Sequence, residues 1–477
     1  MYPEGSTLTE EYVDIIKRGG DVGLSEMVQK LIEEHDASRF KEGERYYFNE
    51  GDIKQRQKQY YKDGELVEDE SKANHKNAHG WHKLLVDQKV AYLVSKPIVV
   101  ESESDYFMKR LDDFFGDFFN DMINESVKNA SNKGVEYWHP YIDEEGNLDY
   151  LQVPPEQLIP IYDYSNPRQP MEAALRYYQV SIYGEKVIRA EWWERDKVTY
   201  LISGGGTFTL DPNEEVNPAP HYYYDESGYA WERVPFIPFR NNQEEKSDLT
   251  FYKDLVDDYD RLASDGSNNF EEIQELIYVL KGFDGTNLSE FLTNLKHYKV
   301  IKTDGDGGVD TKKAEIPMES LETKLNRTQD DIVAFGMGVN PKQDAFGSNP
   351  SGVSLKFLYS LLDMKASTME RKFTSALKQL VWFIKEYLAI ADNHTFEEKI
   401  KFTFNKTMIF NENESIDNSV KSAAVTSLET ALSNHPWVTD VEAEKKKIQE
   451  EREKMRDPYH EDLNGYTDHD EGDEDDG

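Results

Sequence analysis

A chain of 477 residues with 93 acidic and 55 basic side chains carries a formal net charge of −38 and has no cysteine. The missing cysteine excludes a disulfide framework, a thiolate metal site and a cysteine nucleophile, and fits a reducing cytosol. Tight nucleic-acid binding draws on lysine and arginine that displace counterions, so this balance argues against a protein that grips DNA or RNA, though not against one that lets DNA slide past. With 38% hydrophobic and 12% aromatic residues the chain folds, and its length predicts two to four structural regions of α+β class. The N-terminus lacks the basic-then-apolar pattern of a signal peptide, and no apolar run approaches the ~18 residues of a membrane span, so neither export by that route nor a membrane partner is expected.

Leu24, Met27, Val28, Leu31 and Ile32 recur at helical spacing, and a polar, Tyr-rich stretch follows from Phe40 to Glu70. A second helical face carries Trp81, Leu84, Leu85 and Gln88, and Pro97 stops it before the strand-like Ile98 to Val100. One helix is expected from Asp105 to Lys133, with Phe107, Leu111, Phe114, Phe115, Phe118 and Phe119 all in the core. From Gly134 to Phe239 the segments VEYWHPYID, GNLDYLQVPP, LIPIYDYS, EAALRYYQV, KVIRAEWWE and KVTYLIS read as strands joined by hairpins.

Helical spacing returns at Leu249, Tyr252, Leu255, Val256, Tyr259 and Leu262, with Ser247 as N-cap, and predicts a helix running to Leu276, roughly 40 Å long. A compact insert of strands and one short helix follows, and Pro317 opens a helix carrying Leu321, Leu325, Ile332 and Phe335 on one side. The loop MGVNPKQDAFGSNPSG leads to a helix over Val353–Ala391, whose apolar stripe is Val353, Phe357, Leu361, Met364, Met369, Phe373, Leu377, Leu380 and Ile384. A strand, KIKFTFNKTMIF, two helices and an acidic tail, DHDEGDEDDG, complete the chain; the tail is expected to be disordered.

Two helices joined by a small insert hold that insert about 40 Å from the main body, a placement suited to docking. In the loop, Gly336, Gly338, Gly347 and Gly352 tolerate unusual backbone angles, and Lys342 is the only cation. With Lys324 and Arg327 on the preceding helix, Lys342 is a candidate for weak, sequence-independent phosphate contact, against the plainer reading of a solvated lysine.

Other constellations carry less. His75, His79 and His82 could share a helical face at metal-ligand spacing, but no general base or fourth ligand accompanies them. Asp304, Asp306, Asp310 and Glu315 take positions 1, 3, 7 and 12 of an EF-hand-like loop, yet Val309 stands where glycine is required, so a hairpin tip is the better reading. SGGGT at 203–207 lacks the strand-to-helix context of a phosphate loop. No cofactor and no metal is expected.

The stretch VPFIPFRNNQEEKSDLTFYKDLVDDYDRLASDGSNNFEEIQELIYVLKGFDG, together with YLVSKPIVV, LIPIYDYSNPRQPMEAALRYY, FGSNPSGVSLKFLYSLLDMKA and TSLETALSNHPWVTDVEAE, resembles the tailed-bacteriophage portal proteins, or head-to-tail connectors, of the long-tailed Bacillus siphophage type. The ordered set, spanning nearly the whole chain, carries the likeness.

The resemblance implies a non-enzymatic subunit of a homo-oligomeric ring, usually a dodecamer in that family, at one capsid vertex, assembled in the host cytoplasm. Double-stranded DNA would pass through it. It implies a wing at 1–240, a stem helix at 241–276, a clip at 277–317, a second stem helix at 318–336, a tunnel loop at 337–352, a long wing helix at 353–391 and a crown at 392–477. Val339, Asn340, Lys342, Gln343, Asp344, Phe346, Ser348 and Asn349 would face the DNA. Lys281, Phe283, Asp284, Lys296, Lys302, Asp304 and Asp306 of the clip would meet the terminase large subunit and later a head-completion or adaptor protein. Major capsid and scaffolding proteins are the remaining implied partners. The rivals are a metal-dependent nuclease, which would need carboxylates converging on strand ends, and a capsid adaptor without a channel.

Overall fold

The computed structural model describes Val13 and residues 23–273, 277–281, 308–312, 318–340, 356–407 and 420–456, apart from 70–71, 167, 183, 225–226, 423–424, 434, 436 and 439. Helices α1 (Leu24–Glu34) and α2 (Ser38–Tyr47) come first, then a 3-10 turn at Asp52–Gln55 and a solvent-exposed hairpin, β1 (Gln59–Lys62) with β2 (Glu65–Glu68). Residues 73–80 have no regular structure and lead into α3 (Trp81–Val94) and β3 (Val99–Ser102).

The expected helix from Asp105 to Lys133 is two helices, α4 (Asp105–Asp112) and α5 (Asp117–Lys133). Gly116 is extended at φ −85°, ψ −159°, and this break turns Phe115 in against Phe119 and Phe402. Phe118 is left outside at 62% exposure, so the aromatic run is not all core.

Strands fill the middle of the chain: β4 (Val135–Ile142), β5 (Leu148–Val153), β6 (Leu158–Tyr162), β7 (Met171–Ile182), β8 (Glu185–Trp193), β9 (Val198–Ser203), β10 (Thr209–Leu210), β11 (Tyr222–Tyr224), β12 (Ser227–Tyr229) and β13 (Ile237–Arg240). The six segments expected as strands are all strands. β6 to β10 form an antiparallel meander in sequence order, as hairpin-joined strands with short polar turns should. Period-two alternation decides its faces. Ala173, Leu175, Ala190 and Trp192 meet the Met27, Val28 and Leu31 stripe of α1, while Ala174, Trp193 and Val198 point the other way, to Phe40, Val135 and Phe236. β13, β4 and β5 make a second antiparallel sheet.

The chain then becomes helical: α6 (Lys253–Ile273), the antiparallel pair β14 (Ile277–Lys281) and β15 (Gly308–Lys312), α7 (Met318–Phe335), and α8 (Ser360–Ala391). After these, β16 (Ile400–Thr403) pairs with β3, and α9 (Leu428–Ser433) and α10 (Val441–Arg456) follow. The unbroken helix expected from Ser247 is interrupted. Ser247 caps a 3-10 turn over Asp248–Phe251, Tyr252 leaves helical geometry at φ −144°, and α6 spans 21 residues, about 32 Å. β15 runs through the middle of the EF-hand-like segment, with Asp310 opposite Val279, which excludes that loop geometry.

α8 is the axis of the largest core. Ala366, Met369, Phe373, Leu377, Leu380 and Ile384 pack with Leu93, Phe107, Phe119, Trp138 and Phe239 from α3, α4, α5 and the β13–β4–β5 sheet. Its predicted stripe divides: from Met369 onward it is buried, whereas Phe357, Leu361 and Met364 lie exposed. Val353 is outside the described residues.

Candidate functional site

The segment joining α7 to α8 is held at its root by the body. α7 ends in a Schellman motif: Gly338 N donates to Val333 O at 2.9 Å, Met337 N donates to Ala334 O at 3.1 Å, and Met337 is left-handed at φ 53°. Glycine usually takes that position, but here the glycines stand on either side. A Cβ on Gly336 would sit 2.5 Å from Leu85 Cδ1, and one on Gly338 would sit 2.3 Å from Leu85 Cδ2. These glycines let α3 approach, and neither has positive φ. Gln88, one turn further along α3, accepts from Val339 N at 2.9 Å and donates to Val339 O at 2.8 Å, closing a two-bond amide clamp.

Behind this clamp lies a buried ionic cluster. Lys89 Nζ, wholly buried in α3, donates to Asp248 Oδ2 at 2.7 Å and Asn241 Oδ1 at 2.8 Å. Lys365 Nζ of α8 lies 3.0 Å from the same Asp248 Oδ2 and donates to Gly336 O at 2.9 Å, at the electronegative end of α7. Asn241 Nδ2 binds Asp248 Oδ1 at 2.9 Å. One carboxylate therefore ties α3, the 241–248 linker, α8 and the end of α7 together. Burial pushes the Asp248 pKa up, but Lys365 and Lys89 outweigh it and hold the carboxyl well below the usual range. Burial draws Lys89 down to about 8, so it is still protonated at neutral pH. Beside them His82 bonds Tyr252 Oη at 2.7 Å and Asn132 Oδ1 at 3.0 Å, and burial lowers it to about 4.

α6 is attached to the extended 74–79 segment by a ladder. His79 N, Asn77 N and His75 N donate to Asp260 Oδ1, Ser264 Oγ and Asn268 Oδ1 at 3.0, 3.0 and 2.7 Å. Four helical residues advance about 6.0 Å and two extended residues about 6.6 Å, so alternate amides meet successive turns. Ser264→Ala should therefore cost about 1–2 kcal/mol and speed hydrogen exchange at the Asn77 amide more than at distant amides. The ladder also separates the three histidines. His79 pairs with Asp260, His75 with Glu271, and His82 is buried elsewhere. Among the described residues no group of three or more histidine or acidic side chains could hold a metal ion.

Of the expected DNA-facing residues, Val339 is 6% exposed within the main core, its backbone held by Gln88. Asn340 is half-buried, its amide donating to Asp330 at 3.2 Å. Lys342, Gln343, Asp344, Phe346, Ser348 and Asn349 lie outside the described residues. Lys324 forms an ion pair with Asp258 at 3.3 Å, bridging α7 to α6, while Arg327 is exposed. Lys281 pairs across β14 with Gly308, and Phe283, Asp284, Lys296, Lys302, Asp304 and Asp306 lie outside the described residues. Lys89, Asp248 and Lys365 were not foreseen as a site.

Comparison with known proteins sets the sequence beside phage portal proteins. Residues 29–457 match the family described as "Phage portal protein, SPP1 Gp6-like". The portal protein of Bacillus phage SPP1 is 40% identical over 461 residues, covering 94% of this chain and 92% of that protein. The portal protein of Clostridium phage phiCD119 is 31% identical over 460 residues, covering 91% and 97%.

Proposed function

The chain belongs to the SPP1 Gp6-like family of phage portal proteins, and on that premise we propose how its parts divide the work. As a member it is a structural, non-enzymatic virion component: a ring at the capsid through whose channel double-stranded DNA is packaged and ejected, and a platform for the terminase and the connector proteins.

Within that role, α6 and α7 form the channel wall. Residues 277–317 dock the terminase large subunit during packaging and a head-completion protein afterwards. Residues 337–352 are the tunnel loop, with Lys342, Gln343, Asp344, Phe346, Ser348 and Asn349 as the DNA-contact residues. The body formed by 1–240 and α8 adjoins neighbouring subunits and the major capsid and scaffolding proteins. Twelve copies close the ring, assembled in the host cytoplasm.

The observation that carries the loop assignment is its root. Gln88 and Lys365 fix residues 336–339 to the rigid body. The loop is thus anchored where it leaves α7. With Lys324 engaged by Asp258, cations free to meet phosphates are few on this wall, and DNA slides instead of being held. Deleting residues 343–349 should abolish DNA packaging while ring assembly stays intact. Packaging at the wild-type level by intact rings of that variant would sink the assignment.

A further inference from the structure

In a chain with 38 more acids than bases, one concave patch runs the other way. A cleft of about 670 Å³ lies between the β6–β7 turn, the end of β13 and the middle of α8. Arg168, Arg240, Arg371 and Lys372 line it, together with the amides of Gln243 and Gln379. Arg240 is neutralised by Glu245 at 2.6 Å. The other three cations form no ion pair among the described residues. Arg371 donates to Ser367 O of its own helix, at 3.3 Å, and Lys372 donates to the Gln243 side-chain oxygen. Arg168 sits in a tight turn, its N–H held by Asn166 Oδ1 at 3.0 Å and its neighbour Gln169 left-handed at φ 47°. The cleft thus presents donors from three separate elements and, with Glu245 paired to Arg240 and Glu244 near Lys372, still a net positive charge.

We infer that this cleft receives carboxylate side chains from the adjoining copy of the chain in the ring. The inference rests on the ring reading above and adds the chemistry of a subunit contact. Copies that each carry −38 repel one another, and contacts that set unpaired cations against a neighbour's acids offset that repulsion. Guanidinium forks suit carboxylates, and aspartate and glutamate on flexible stems can reach into a cleft. Duplex phosphates, fixed on the outside of a rigid cylinder, reach a recess poorly. Burial, then the nearby Arg240, lowers the Lys372 pKa against the opposing attraction of Glu244.

The test mixes isotopically heavy and light full-length chains into rings and joins touching amine and carboxylate pairs with a zero-length carbodiimide cross-linker. Mass spectrometry should find Lys372 joined to an aspartate or glutamate of the other isotopic form. In parallel, the double charge reversal Arg371→Glu with Lys372→Glu should reduce the ring fraction at least about tenfold at low salt, with the thermal midpoint of the dissociated chain unchanged. Arg371→Lys with Lys372→Arg should restore assembly. Wild-type rings in which Lys372 cross-links only within its own chain, or reversed chains that assemble as wild type does, would overturn the inference and leave the ring reading standing. So would reversed rings that form normally but fail to retain DNA, which would assign the cleft to phosphate. A wild-type chain that forms no ring would overturn the ring reading itself.

Discussion

Asp248→Asn should destabilise the chain by about 3–5 kcal/mol, seen as a lower urea midpoint, because it strands two lysine charges at the junction of four segments. Lys89 is 0% exposed and, among the described residues, its ammonium has only Asp248 and Asn241 as partners, while Lys365 would keep only the Gly336 carbonyl. The amide preserves shape and one hydrogen-bond acceptor, so a loss of this size reports charge. The acid dependence follows with a definite sign. The carboxyl of Asp248 is depressed below its ordinary value of 3.8, so its contribution is complete above that pH and is lost as the pH falls through the depressed value. The gap between wild type and Asp248→Asn should be constant from neutral pH to about 4 and narrow below it. Equal stability of the two at pH 7 would refute the cluster.

Gly43→Ala should cost about 3 kcal/mol, although alanine is the better helix former and Gly43 lies inside α2. A Cβ there would stand 1.9 Å from Asn132 O, 2.8 Å from Asn132 C and 2.9 Å from Ser247 Oγ. Two of those atoms are backbone at the end of α5, which cannot swing aside as a side chain can. Separating α2 from α5 would also disturb Asn132, which binds His82, and Ser247, which caps the turn holding Asp248. Gly80→Ala is the control: no atom lies within 4 Å of its Cβ position, so it should be close to neutral. Equal midpoints for the two variants would contradict this packing.

The β-rich middle was legible because hairpins write their pattern locally: aromatic and β-branched runs separated by Gly, Asn, Asp and Pro. The loop root was harder. Gly336 and Gly338 read as flexibility, whereas Leu85 of a distant helix requires both, and the left-handed position fell to Met337. The ionic cluster joins positions 89, 241, 248 and 365, and no local periodicity connects them. One signal was present: Lys89 lies four residues after Leu85 and three before Tyr92, a cation on an apolar stripe that folding must pair. Asp260, Ser264 and Asn268 likewise continue the stripe of Tyr252 and Val256 in polar form, and their partners are backbone amides that a periodicity reading cannot see. Phe357, Leu361 and Met364 followed the predicted period, yet among the described residues they stay exposed.

The central claim is that copies of this chain close into a ring around an open channel. Light scattering on the purified protein, paired with averaged end-on electron images, measures it directly. Twelve chains of 55.4 kDa predict a particle of about 0.66 MDa with a central hole. A stable 55.4 kDa monomer, or a compact assembly without a hole, would contradict it.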